Sequence, residues 1–458
     1  MDEDSRDTLA QAVDHLALAL EQERYRHVAG IDPAPGLRRL FAAHDEATHP
    51  DTVAMLREEG EPALLRTVGA LRAERLAAGP EEGWRAAESG APVMGPDGLV
   101  PLAQAEASLA REPDPVRRRA MAGAVARALE PSAALREQAS ELRVRVRAEH
   151  GLVPDWERVV DGDRLLDATE DAWTELLAHA ARRDLELAPQ PRGDLTRADL
   201  LRLLAFPAYD GLFRKSGLAE LLRAACGALG LDPAALQVGE TTRVAAWPGA
   251  HALGQRVAFR PRGGLPDWLD LLDACGRAVI AARQPPAGRD PRFVAAWGWL
   301  LQSLLLEPGF LDQRVDLSKR ERIEVTRALA LRALFRLRAS AAAGRVATEA
   351  ERGMSGARWR EAHREALTSA CHAAWDGVRA SRDAEAGPLL ARVAGFAAGE
   401  RLRVQLREQF DEDWWRNPRT PQHLAGLLAA GRFPETEEPS APVAARGLVG
   451  LLERGGAS

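Results

Sequence analysis

Gly264-Leu-Pro-Asp-Trp-Leu-Asp-Leu-Leu-Asp-Ala-Cys-Gly-Arg-Ala-Val-Ile-Ala-Ala282 is the stretch around which the rest of the sequence arranges itself. Pro266 suits the first turn of a helix, and Asp267 and Asp270 favour its positive end. Trp268, Leu271, Leu272, Cys275, Val279 and Ile280 recur at steps of three and four, the period of a helix. Ahead of it, Arg256-Val-Ala-Phe-Arg260 predicts a short strand, closed by Pro261 and the Gly263-Gly264 pair. Strand, glycine turn and helix form one unit.

The run Arg260-Pro-Arg-Gly-Gly-Leu-Pro-Asp-Trp-Leu-Asp-Leu-Leu-Asp-Ala-Cys-Gly-Arg-Ala278 resembles a line of the oligoendopeptidase and thimet-oligopeptidase family of zinc metallopeptidases, R-P-x-G-G-x-x-D-x-x-x-L-L-H-E-x-G-H-A. The framework residues agree and the chemical ones do not. In the H-E-x-x-H motif two histidines one turn apart bind zinc and the glutamate polarises the attacking water. The resemblance places those three roles on Asp273, Ala274 and Arg277. A third ligand, a glutamate in a line such as F-V-E-A-P-S, falls on Ala295 of Phe293-Val-Ala-Ala-Trp297.

Each replacement removes a different part of the chemistry. Ala274 cannot take a proton, so the general base is absent. Arg277 offers donors only and sets a positive charge where a cation would sit. At about 4 Å and an effective dielectric near 20, one pair of unit charges interacts by ~4 kcal/mol, and a divalent ion would be repelled by roughly twice that. Asp273 alone is no zinc site, so no metal and no cofactor are expected. Asp273 and Arg277 stand four apart with the acid first, the favourable order for a helical ion pair, and are expected to fill the emptied site together. His251, just ahead of the strand, is the histidine to test beside Asp273 as an unrecognised metal site.

The sequence has 458 residues, 46% hydrophobic and 28% charged, with a formal charge of -6. That balance describes a globular chain without the basic excess of a nucleic-acid binder. No apolar run reaches the roughly 18 residues of a membrane span, and Met1-Asp-Glu-Asp4 does not read as a signal peptide, so a cytoplasmic location is expected. The three cysteines, Cys226, Cys275 and Cys371, lack C-x-x-C spacing and predict buried thiols.

Helical patterns run through the rest of the chain. Asp114 and Pro115 predict a capped helix start, Ser132 a second one, and Ser318-Lys-Arg-Glu321 a capping box. Thr241-Thr-Arg-Val-Ala-Ala-Trp247 predicts a strand beside Arg256 to Arg260. Ala110-Arg-Glu-Pro-Asp-Pro-Val-Arg-Arg-Arg119 resembles the L-A-N-E-x-D-x-x-R-R stretch of bacterial relatives, with Arg111 in place of the asparagine. Gln405-Leu-Arg-Glu-Gln-Phe-Asp-Glu-Asp-Trp-Trp-Arg-Asn-Pro418 resembles their L-R-x-x-F-G-x-D-W-x-x-N-P line, with Asp411 in place of the glycine. The family's oxyanion-binding tyrosines have no counterpart in Arg392 to Arg401; the chain holds only Tyr25 and Tyr209.

The resemblance implies a mainly helical, two-lobed, zincin-like peptidase fold (gluzincin) with a deep cleft and a small sheet beside the vestigial site. The expected division is a helical lobe over 1–154, a peptidase-like lobe over 155–433 and a tail over 434–458, whose Pro434 to Pro442 reads as a linker and Val443 to Leu452 as a docking piece. A sheet edge along the cleft would let an extended peptide add as a strand, with Val257, Phe259 and Arg260 as groove residues. The leading expectation is a pseudopeptidase that binds a peptide or a protein partner, such as an active paralogue, and neither nucleic acid nor membrane. A hydrolase with an unrecognised metal site and a structural subunit with a closed cleft remain open.

Overall fold

Gly263 and Gly264 take φ values of 93° and 77°, a region that residues with a Cβ rarely enter, and from this turn the helix Leu265–Ala281 departs. The computed structural model describes residues 3–95, 98–151, 161–185, 195–286, 289–383 and 386–432, with 445, 447 and 449. Nearly every side chain of this central helix is buried, Asp267 included, so it is a core helix and not a surface one.

One further helix packs directly on it and two more bring side chains to its Asp273. The flanking helix Pro291–Ser303 is capped by Asp290, which accepts from the Arg292 N–H at 2.8 Å. The long helix Lys319–Glu351 opens with the capping box that Ser318 and Glu321 predict. The late helix Ala386–Phe410 lies along the flanking helix. Glycines set these contacts: a Cβ on Gly276 would collide with the Trp297 carbonyl oxygen, and one on Gly399 would sit 2.7 Å from the Ala296 oxygen. Backbones meet there with no side chain between them.

The strand Arg256–Arg260 forms as expected but occupies the centre of a three-stranded sheet. It pairs in parallel with Gln237–Glu240 and antiparallel with Gly249–Leu253. Two expectations are thereby corrected. Thr241 to Trp247 is not a strand: the carbonyls of Val244 and Ala246 accept from the Arg260 guanidinium at 2.9 and 2.7 Å, so this segment wraps a side chain instead of a neighbouring ladder. Val257 and Phe259 cannot receive an added strand, because they are buried and paired on both sides, and Arg260, paired with Gly249 on one side, ends the strand with its side chain held by the Val244 and Ala246 carbonyls.

In the N-terminal part, Pro62–Gly90 and Pro115–Glu149 are long helices packed against each other. Asp114 caps the second by accepting from the N–H groups of Val116 and Arg117. Ser132 starts no new helix; the helix continues through Pro131, and the Ser132 hydroxyl donates to Glu88 at 2.7 Å and to the Leu129 carbonyl. The paired arginines of the Ala110 to Arg119 line are partly explained by Arg118, which is buried and donates to Asp199 at 2.7 Å. Asp411 has φ 68°, a left-handed position that suits glycine and that aspartate tolerates.

Residues from Val13 to Ala78 supply one apolar core, and residues from Leu165 to Ala445 supply a larger one that contains the central helix. The boundary expected at 154/155 and the linker over 434–442 lie outside the described residues, as does most of 443–452. No helix among the described residues is long and apolar enough to cross a membrane.

Candidate functional site

On the central helix, Asp273 and Arg277 form the expected pair: Nε donates to Oδ2 at 3.2 Å and Nη2 to Oδ1 at 3.3 Å. A Cβ on Gly298 would lie 2.6 Å from Asp273 Oδ1, so the flanking helix presses directly on the carboxylate. Ala274 and Ala295 are both buried. Asp273, Arg277 and Ala295 line one cavity of about 30 Å³, with Trp299, Arg336 and Phe396 among its other walls. The positions that the resemblance assigns to metal ligands, 273, 277 and 295, therefore line one cavity, with Ala274 on the same helix as the first two.

Arg336, from the long helix, was not legible as a site residue, and it changes the electrostatics. Its Nη2 stands 3.6 Å from Asp273 Oδ2 and 3.7 Å from Asp270 Oδ1. Asp270, one turn before Asp273, also accepts from Arg332 at 2.6 Å and from Arg262. Burial opposes the charge on Asp273, but Arg277 and Arg336 outweigh it and hold its carboxyl below the ordinary value. Burial likewise opposes the charge on Asp270, and Arg332, Arg262 and Arg336 outweigh it and hold its carboxyl well below the ordinary value. Asp267 differs: burial raises its carboxyl even though it accepts from the backbone N–H groups of Arg262 and Gly263.

The donor set does not fit zinc. Asp273 is one carboxylate already engaged by arginines, Ala274 and Ala295 offer no donor, and guanidinium groups stand where a cation would need anions. Among the described residues no three His, Cys, Asp or Glu side chains group so as to hold a metal ion. His251 does not join Asp273: its Nε2 donates to the Pro248 carbonyl at 3.1 Å, and its charged neighbours are Asp270 and Arg262. Tyr209 accepts from Arg183 at 2.6 Å and does not line this cavity; the late helix brings Arg392 and Phe396 to it.

These ion pairs carry a pH signature. The folded value of Asp270 lies below the ordinary aspartate value near 4, so its contribution is complete above that value and is lost as pH falls through the folded one. Asp270→Asn should therefore lower stability by about 2 kcal/mol at pH 7. The gap from the parent chain should narrow below pH ~4. Urea denaturation at pH 7 and at successively lower pH checks this; a gap that widens in acid would contradict it.

No protein-family model matches the sequence, and no curated protein matches it. By structure the chain is similar to a protein assigned as oligoendopeptidase F from Bacillus anthracis str. Ames, at TM-score 0.55 and 11% identity, over 94% of this chain and 86% of that one. It is similar to PZ peptidase A with an inhibitor at TM-score 0.56 and 11% identity, over 94% and 87%. It is also similar to an M32 carboxypeptidase from Deinococcus radiodurans R1 at TM-score 0.52 and 14% identity, over 100% of both chains. At such identities the likeness is one of fold, and the mainly helical peptidase architecture expected from the sequence is the one observed.

Proposed function

We propose that this chain is a non-catalytic homologue of the zinc peptidases whose fold it shares, acting in the cytoplasm as a binding module for a peptide or protein partner. An active paralogue is the first partner to test. The observation that supports this reading is the replacement of every catalytic position at once: Asp273, Ala274, Arg277 and Ala295 stand where two histidines and two glutamates are required, and Arg336 adds a second guanidinium beside them.

The test uses the full chain. Zinc is measured on the purified protein and again after incubation with zinc and dialysis, and a quenched fluorescent peptide library is assayed for cleavage and for binding. The expected result is no zinc above a buffer blank and no cleavage, with a subset of peptides retained. Near-stoichiometric zinc together with cleavage would restore the hydrolase reading. Absence of both cleavage and peptide binding, with a stable partner recovered from native extract, would leave the structural-subunit reading instead.

A further inference from the structure

Next to the degenerate site lies a second cavity of about 140 Å³ that shares Arg336 with it. Arg111, Arg262, Arg332 and Arg336 line it. So do Leu204, Ala205, Pro266 and Phe335, and Ala107 and Ala110 close it from the N-terminal side. Charged forks and apolar walls thus face one space large enough for several non-hydrogen atoms.

The charges already present do not use these forks fully. Arg262, Arg332 and Arg336 share Asp270, Arg262 also stands 3.9 Å from Asp267 through its Nε, and Arg336 also shares Asp273 with Arg277. Arg111 donates to Asp210 and to the Gly263 carbonyl. The Nε–H groups of Arg262 and Arg332 are buried and have no acceptor among the described residues. A buried donor left without an acceptor is costly. Burial also pushes the Arg332 guanidinium below its ordinary value, and Asp270 only partly offsets this. Another anion placed here would be drawn by the four guanidinium side chains that line the cavity.

We propose that this cavity binds a carboxylate bearing a short apolar group, the guanidiniums taking the carboxylate and the Leu204, Ala205, Pro266 and Phe335 surface taking the apolar part. Planar guanidinium matches carboxylate in a two-point contact. A phosphate is a poorer fit, since its further oxygens would face apolar walls without donors. The carboxylate can belong to a free small acid or to a peptide. The inference therefore rests in part on the binding reading above, and its test separates the two.

Isothermal titration calorimetry of the full chain at low salt is run with isovalerate, isovaleramide and inorganic phosphate, then with short peptides ending in a free carboxylate or an amide. Isovalerate should bind at least tenfold more tightly than its amide and than phosphate. Ala110→Phe, which fills the cavity without replacing a charged residue, should abolish the binding, and Arg332→Met should weaken it at least tenfold. Free-acid peptides binding better than their amides would assign the carboxylate to a peptide. Small-acid binding without any peptide binding would keep this inference and remove the peptide reading. Equal binding of acid and amide, tighter binding of phosphate, or peptide binding with no preference for the free acid and none of isovalerate would overturn it. So would absence of all binding.

Discussion

Gly276→Ala should destabilise the folded chain by at least about 3 kcal/mol, seen as a lower denaturant midpoint in a chain that still folds at low temperature. Two effects oppose each other. Alanine is a better helix former than glycine by about 1 kcal/mol, which alone would stabilise. Against this, the added methyl would meet the Trp297 carbonyl carbon and oxygen and the Gly298 Cα, all backbone atoms that cannot rotate aside. Only separation of the central and flanking helices relieves that clash, and these helices carry much of the larger core. Gly227→Ala is the matched control: it lies in the helix Leu218–Ala228 and a Cβ there meets nothing within 4 Å. It should stabilise by up to about 1 kcal/mol. A Gly276→Ala chain as stable as the parent would refute the close helix contact.

Arg403→Leu should cost about 3–5 kcal/mol, the effect of removing from two buried carboxylates the cation that pairs with both. Arg403 on the late helix donates to Glu307 at 2.7 Å and to both oxygens of Glu400 at 2.9 and 2.6 Å, and all three residues are 1% exposed. Burial disfavours the Arg403 charge, yet Glu400 and Glu307 raise its value above the ordinary one. Leucine would restore the volume and leave two carboxylates facing each other without a counter-ion. Combining Arg403→Leu with Glu307→Gln and Glu400→Gln should recover part of the loss, because the residual cost then lies in amide desolvation alone. Thermal melts of the single and triple variants check this. Equal losses in both would show that packing, not charge, holds the site. Glu400 also accepts from Trp299 Nε1 at 3.1 Å, so the single variant should disturb a wall of the 30 Å³ cavity.

The central unit was legible because its signals are local. A strand pattern, two glycines that must take positive φ and an apolar period of three and four each act within a few residues, and together they bound the helix within one residue of its observed end. The Asp273–Arg277 pair was legible for the same reason, since both lie on one helix turn. Strand order was not. Thr241 to Trp247 has strand-forming residues, but its carbonyls are drawn to Arg260, and Gly249–Leu253 takes the ladder because it packs on the central helix. Ser132 fits a helix start by composition, yet packing of two long helices carries the backbone through Pro131. Arg332 and Arg336 are one turn apart between apolar residues of the long helix; arginines set into such a stripe are a sign of buried partners, but only the fold names Asp270 and Asp273 as those partners.

The placement of Arg336 has an evolutionary reading. If mutation placed histidine, glutamate and histidine at positions 273, 274 and 277 and glutamate at 295, the new cluster would share its cavity with Arg336 and Arg392. Asp270 would meanwhile continue to require that same Arg336. Such a change would also need substitutions on the long and late helices, which carry those two arginines. A metal-binding set would thus have to be built against guanidiniums supplied by two helices outside the central pair, not merely substituted into it.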